Sequence, residues 1–295
     1  MIVITAPTGR IGRQVLGTLL DSGHPLRVVV RDPARLDPAV RDRVEVVQGS
    51  HSDPEVLAKA FAGADSALWL VPPNPRAEDI QDHYLDFTRP ACAAIETQGV
   101  KRVVGITSLG RAYGRHAGLL SPAFAMDALI ENTAVAYRAL AMPFFMENLL
   151  NQAEAIKATG VFLTANTVDR PLALVATRDI AAAAARLLAD ASWSGRESIP
   201  VISPDTLTPQ DMARVMSEVL ERPVRAEQVE LDAYEATMTR YGMSAAWARG
   251  LADMAAAQND GIYDLHAAEH TTRGLTAPTD FRQWCQDVLA PALLA

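Results

Sequence analysis

The stretch Ile2-Val3-Ile4-Thr5-Ala6-Pro7-Thr8-Gly9-Arg10-Ile11-Gly12 decides how the rest of the chain is read. Four strand-forming residues run into a short turn. Beyond it Ile11, Val15 and Leu19 recur every four residues, with Leu16 and Leu20 beside them, as on one apolar helix face. Strand, tight turn, helix is the expected order. A helix beginning there offers unpaired amides and a partial positive charge to an anionic group, and glycine lets that group approach the backbone. Gly9 and Gly12 occupy the second and third glycine positions of a GxxGxxG loop, whereas Ala6 takes the first. The alternative reading of the same residues is a glycine turn into a helix with no ligand.

Outward from this unit the N-terminal half alternates short apolar runs with amphipathic stretches. Runs at Leu26 to Val30, Val44 to Val47, Ala67 to Val71 and Arg102 to Thr107 join Ile2 to Thr5 as five parallel strands, with Val135 to Met142 as a sixth. Ser52 and Glu55 have capping-box spacing ahead of one crossover helix, and residues 76 to 98 carry another. Strands joined by right-handed helical crossovers give an α/β fold with a Rossmann doubly wound parallel sheet.

In such folds the end of the second strand chooses the cofactor: an acidic side chain bonds the ribose 2′-hydroxyl of NAD, while arginine receives the 2′-phosphate of NADP. Here Val28-Val29-Val30 ends in Arg31, with Arg35 four residues on. NADP(H) is the expected cofactor. Asp32 follows directly, and a one-residue shift would put a carboxylate at the ribose instead.

After residue 142 the pattern loosens. An alanine-rich helix is expected over Asp179 to Leu188, and Thr208-Pro209 resembles an N-cap and N1 pair. From Ala226 onward helical segments rich in Ala, Met and Trp show no strand signal. Residues 1–150 are therefore expected to form an NADP(H)-binding domain. Residues 151–295 would contribute to the sheet and form a smaller, mostly helical substrate lobe. Met238, Tyr241, Met243, Trp247 and Met254 there read either as helix packing or as an apolar pocket, and Trp284 as core.

Composition narrows the function. Net charge is -8, so phosphate backbones and anionic lipid are not attracted, and nucleic acid is not an expected partner. The two cysteines, Cys92 and Cys285, have no CxxC spacing and no histidine cluster accompanies them, so no metal site is expected. The start of the chain shows no leader and no long apolar run occurs, which fits a cytoplasmic protein without a membrane span. A homodimer is compatible with these features.

The segments ITAPTGRIG, VVVRDPARL, VEVVQGSHSDPEVLAKAFAGAD, ITSLGR, MPFFMENLL, the stretch around Thr177-Arg178-Asp179-Ile180 and the terminal DFRQWCQDVLAPAL resemble, in order and spacing, the NmrA-like branch of the atypical short-chain dehydrogenases/reductases. The resemblance covers nearly the whole chain. It implies that Thr8, Gly9, Arg10 and Ile11 cradle the pyrophosphate and Arg31 meets the 2′-phosphate. Gly49, Ser50 and His51 would lie near the adenine, and Val71, Pro72 and Pro73 along the middle of the cofactor. Thr107 and Ser108 would approach the nicotinamide, with Pro143 to Phe145, Phe144 among them, walling it. Met146, Glu147 and Asn148 would face the cleft, Met146 and Asn148 as substrate contacts. Glu147 and Asn148 read equally as groups that satisfy the backbone at a helix start.

Many short-chain dehydrogenases pair a tyrosine with a lysine four residues later, which lowers the phenol pKa. None of the six tyrosines has that partner, and no lysine lies between Lys101 and Lys157. Hydride transfer itself needs orientation and a stabiliser of developing charge. Ser108, Tyr113 and His116 are the catalytic candidates. Ser108 would otherwise be a strand-end cap, and Tyr113 and His116, in a loop with Gly110, Gly114 and Gly118, surface residues. The expected function is NADPH-dependent reduction of a small, largely apolar carbonyl, quinone or conjugated acceptor. The alternatives are a non-catalytic dinucleotide sensor, as some members of the family are, and an isomerase or cyclase on the same fold.

Overall fold

The computed structural model describes residues 1–264 and 275–294. Eight strands form one parallel sheet in the order β13-β10-β6-β5-β4-β1-β2-β3. In chain order the first six are β1 (Ile2–Thr5), β2 (Leu26–Val30), β3 (Glu45–Gln48), β4 (Ser66–Trp69), β5 (Arg102–Ser108) and β6 (Ala136–Met142). β10 (Arg196–Ile202) and β13 (Leu275–Thr276) extend the sheet beyond β6. The chain reverses its direction of winding between β1 and β4, which opens a crevice at the carboxyl ends of the strands.

Both faces of the sheet are covered, which explains the unbroken apolar runs. Ile2, Ile4, Val28, Val30, Leu68 and Val104 face one way, against Val15, Leu16 and Leu19 of α1 (Arg10–Leu19) and the alanines of α7 (Thr177–Ala189). Val3, Val29, Ala67, Trp69, Val103 and Tyr137 face the other, against α3 (Pro54–Phe61), α4 (Ile80–Gln98) and α5 (Ser121–Glu131). The short α2 (Pro38–Arg41) links β2 to β3. α3 is capped by Asp53, which accepts from the Glu55 and Val56 amides, and not by Ser52. Pro54, with its fixed φ and no N–H, belongs at the first helical position, so the cap falls on the residue before it.

A second apolar core lies beyond the sheet. Leu172 and Leu174 of β9 (Leu172–Val175) pack there with Phe162 of β8 (Val161–Thr164), Met212 and Met216 of α8 (Pro209–Val219), and Phe281 and Trp284 of the C-terminal helical segment. The two rings stack at 5.7 Å. This lobe holds more strand than the sequence suggests. β7 (Phe144–Phe145), β9 and β11 (Thr206–Leu207) form a three-stranded sheet, and β12 (Arg225–Gln228) pairs with β8. β12 is the polar run Arg-Ala-Glu-Gln and β13 is two residues long, so neither carries apolar alternation. α6 (Ala153–Thr159) and α9 (Leu231–Arg240) complete the lobe with α10 (Ala245–Asn259).

Polar contacts lock the lobe to the sheet. Asp179 accepts from both the amide and the hydroxyl of Thr279, Arg178 donates to that hydroxyl, and Ser203 donates to the Thr279 carbonyl. α10 crosses the strand ends: Ser244 at its start donates to the carbonyls of Pro75 and Ala77, and Asn259 at its end holds Ala165 and Thr167. Between them it presses on Gly118, where a Cβ would lie 2.0 Å from the Gly250 carbonyl oxygen.

Two imidazoles fix the loop after β4. His51 Nε2 lies 3.1 Å from the Leu70 carbonyl oxygen, its ring edge-on to Trp69 and Phe87, and His83 Nε2 lies 2.9 Å from the Pro72 oxygen. Burial lowers the His51 pKa to about 4. The unfolded chain takes up this proton below about pH 6.5 and the folded one only near 4, so stability is lost as pH falls across that window, by about 3 kcal/mol in all. Asp127, whose carboxyl burial pushes up to about 6, works in the opposite sense between about 6 and 4. His51→Gln, which keeps a donor in place of Nε2, is expected to remove the His51 part. Urea unfolding of both proteins from pH 7 to 4 should show the wild type losing more stability; parallel curves would refute this.

Candidate functional site

The turn after β1 is built by a close approach. Ala6 has φ +47, in the left-handed region, and its carbonyl oxygen accepts the Gly9 amide at 3.0 Å. A Cβ on Gly12 would stand 2.2 Å from that oxygen, so only glycine lets α1 start against the end of β1. Gly9 is the N-cap of α1, and no side chain caps the helix and no acidic residue stands in its first turn. By contrast Asp53, Asp79, Thr208 and Ser244 cap α3, α4, α8 and α10. The first amides of α1, on Arg10 and Ile11, are free for an anion.

The Arg10 side chain reaches away from this loop: Nη1 donates to the Glu147 carbonyl oxygen at 3.1 Å. The Glu147 carboxylate is buried and accepts from the Thr177 amide and hydroxyl at the start of α7, and Gln14 of α1 donates to the same hydroxyl. Glu147 therefore satisfies the backbone at a helix start and does not face the cleft.

At the end of β2, Thr8, Val30, Arg31, Asp32 and Arg35 line one cleft. Asp32 spends Oδ1 on the Ala34 amide, capping the turn Pro33–Arg35. Arg31 and Arg35 are exposed and form no ion pair among the described residues. Gly49 and Ser50 follow β3, Val71 and Pro72 follow β4, Thr107 and Ser108 end β5, and Phe144 follows β6. Every residue named for the cofactor thus lies at the carboxyl edge of the sheet, the side on which such folds bind ligands.

The reacting end differs from the expectation in detail. Thr107 turns its hydroxyl under the sheet to Asp127 Oδ2 (2.7 Å), whose other oxygen accepts from Tyr137 at 2.6 Å, because alternate residues of a strand face opposite sides. Ser108 points the other way and donates to the Leu109 carbonyl oxygen at 2.9 Å. Tyr113 and His116 are not brought to it. Tyr113 donates to Asp260 at 2.7 Å, beneath the Arg115 guanidinium, and His116 lies 3.5 Å from Asp253. Both carboxylates belong to α10 or its end, elements that sequence spacing does not connect to this loop. Met146 is fully buried in the second core and is not a cleft residue, while Asn148 is exposed. Of the C-terminal candidates, Trp247 is buried and Tyr241 is 75% exposed.

Just beyond the end of β5 the structure places a buried tyrosine that carries no local signal. Tyr263, in the segment after α10, packs with Leu109, Ala141, Ile202 and Ile262, and its hydroxyl accepts from Gln258 Nε2 at 3.1 Å.

The left-handed Ala6 costs about 1 kcal/mol that glycine would not. Ala6→Gly is expected to stabilise the chain by that amount in urea unfolding; an unchanged or lower midpoint would show that the turn is unstrained.

The family model described as the NmrA-like family matches residues 1–280. The (4-alkanoyl-5-oxo-2,5-dihydrofuran-3-yl)methyl phosphate reductase of Streptomyces griseus is 32% identical over 82% of each chain, and the NAD(P)H azoreductase of Xenophilus azovorans 28% identical over 82% of each. Among solved structures, triphenylmethane reductase from Citrobacter sp. with NADP(H) superposes with a TM-score of 0.81 over 99% of this chain and 100% of that one, at 20% identity. The NADPH-dependent quinone oxidoreductase of Escherichia coli with NADPH gives 0.78 over 100% and 99%, at 23% identity. The uncapped turn, the strand order and this match over residues 1–280 agree, and the chain belongs to the NmrA-like family.

Proposed function

We propose that the chain is an NADPH-dependent reductase of a small, largely apolar carbonyl, quinone or conjugated acceptor. The observation that carries this reading is the division of labour at the end of β2, where Asp32 is occupied by its own turn and Arg31 and Arg35 have no ion-pair partner among the described residues. Two such guanidiniums beside an uncapped helix start suit a ligand with both a pyrophosphate and a 2′-phosphate. The named activities of the relatives, reduction of a furanone phosphate, of azo compounds and of quinones, support the reaction class.

The residues present fit the cofactor: the missing Cβ of Gly12 and the open amides make the cradle. The amides of Thr8 to Ile11 would hold the pyrophosphate, Arg31 the 2′-phosphate, Gly49 and Ser50 the adenine side, Val71, Pro72 and Phe144 the remaining length. When bound, a reduced nicotinamide supplies hydride. Leu109, Ile202 and Ile262, clustered beyond the end of β5, would keep water from the reacting end and favour a flat, apolar acceptor.

Purified protein with NADPH and a panel of quinones and enones is expected to bleach the absorbance of the reduced cofactor near 340 nm. Arg31→Ala should raise KM for NADPH about 10- to 100-fold, the loss of one charged hydrogen-bonded contact of about 1.5–3 kcal/mol, and leave NADH almost unaffected. No turnover across the panel, with saturable NADPH binding, would replace this reading by the sensor. An equal effect of Arg31→Ala on both cofactors would overturn the role of Arg31.

A further inference from the structure

We propose that Asp127 is a fixed negative charge beneath the reacting end of the site, and that it favours the oxidised, cationic form of the nicotinamide over the reduced, neutral one. This rests on the reductase reading above.

The sheet order sets where the two ends of a dinucleotide go. Thr8, Arg31 and Arg35 lie after β1 and β2, beside the uncapped start of α1. A ligand anchored there by its 2′-phosphate and pyrophosphate continues across the reversal of winding to β4 and β5, the strands next to β1 in the sheet. The carboxyl end of β5 is Thr107-Ser108. Asp127, in the second half of α5, meets that end from below. Its Oδ2 accepts from the Thr107 hydroxyl at 2.7 Å and its Oδ1 from the Tyr137 hydroxyl of β6 at 2.6 Å. Asp127 is 2% exposed and Tyr137 fully buried.

Both carboxyl oxygens receive hydrogen bonds, the pattern of an ionised carboxylate. No cation forms an ion pair with it among the described residues. Arg111, on the loop after β5, spends Nη1 and Nη2 on the two oxygens of Glu131, one helical turn beyond Asp127, at 2.6 and 2.7 Å. That pair is neutral, and burial beside the carboxylate holds Tyr137 in its neutral form, so the cluster keeps one negative charge. Burying an unpaired charge is costly, and an asparagine could join β5, β6 and α5 through the same hydroxyls at less cost. What the carboxylate adds is its charge. Transfer of hydride to the acceptor, which also takes one proton from solvent, replaces a neutral dihydronicotinamide by a cationic nicotinamide. A buried anion below the end of β5 lowers the energy of that cation, and the low local dielectric preserves the attraction. A unit charge acting across about 10 Å at an effective dielectric of about 20 shifts such an equilibrium on the order of 10-fold.

The test is calorimetric titration with NADP+ and with NADPH, read as the ratio of their dissociation constants, in the wild type and in Asp127→Asn. Burial pushes the Asp127 carboxyl up to about 6. As pH falls from about 7.5 to about 5 the charge is lost, and the wild-type ratio of NADP+ to NADPH constants is expected to rise about 10-fold. The 2′-phosphate also titrates near pH 6, but it does so in both nucleotides and the ratio cancels it. Asp127→Asn is expected to hold the ratio at the wild type's acid value over the whole range, by weakening NADP+ about 10-fold at neutral pH and NADPH less than about 2-fold. A purely structural role would weaken both nucleotides alike. Equal weakening of the two by Asp127→Asn, or a ratio that follows the wild type's at every pH, overturns the proposal. Should the variant fail to fold, the wild-type series decides, and a ratio independent of pH overturns the proposal there. Binding of neither nucleotide by the wild type defeats the reductase reading itself, a result distinct from a flat ratio.

Discussion

The site depends on one close contact, the start of α1 against the carbonyl of Ala6. Because Gly12 has no Cβ, the helix begins directly at the end of β1 and its first amides are left facing the crevice. The same placement puts Arg10 within reach of the Glu147 carbonyl and Gln14 within reach of Thr177. The buried Glu147 carboxylate then closes the circuit at the start of α7. Turn, sheet and second lobe are therefore fixed together: a shift of α1 would break the bonds that seat Glu147 and α7. Such coupling acts through groups that cannot be left unpaired when buried, so the segments around Gly12, Glu147 and Thr177 hold one another in place.

The second lobe acts as a clamp over the strand ends more than as a separate body. α10 is tied at one end to the loop after β4 and at the other to the stretch between β8 and β9, and it presses on Gly118 midway. Asp253 and Asp260 on that helix and at its end hold His116, Tyr113 and Arg115 of the loop after β5. These exposed pairs are worth little individually, and their effect is to keep the loop folded back on α10. Leu109, Ala117, Ile202, Ile262 and Tyr263 pack together as one apolar cluster at this loop.

What the sequence revealed follows the range of the forces involved. Strands β1 to β6, α1 and the Thr208-Pro209 cap were legible because local periodicity and capping determine them. The Ser52–Glu55 spacing points one residue too early, because Pro54 at the first helical position puts the cap on Asp53. β12 and β13 were invisible because one is polar and the other very short. Thr107 is expected at the nicotinamide, yet Asp127 draws its hydroxyl under the sheet; of the two readings of Tyr113 and His116, catalytic groups or surface residues, Asp260 and Asp253 hold them in the second. Tyr263, Gln258 and Asn166 could not be found from spacing, since only the tertiary fold joins them. The network around them is not written in any local pattern.

The proposed function puts a dinucleotide bearing a 2′-phosphate at the carboxyl edge of this sheet, with Arg31 as the residue that would receive the phosphate. Calorimetric titration of the unmodified protein with NADPH and with NADH, at low and moderate ionic strength, tests it most directly. The account predicts NADPH binding at least 10-fold tighter than NADH, with the difference shrinking as salt rises. Equal affinities, tighter NADH, or no binding of either would contradict it.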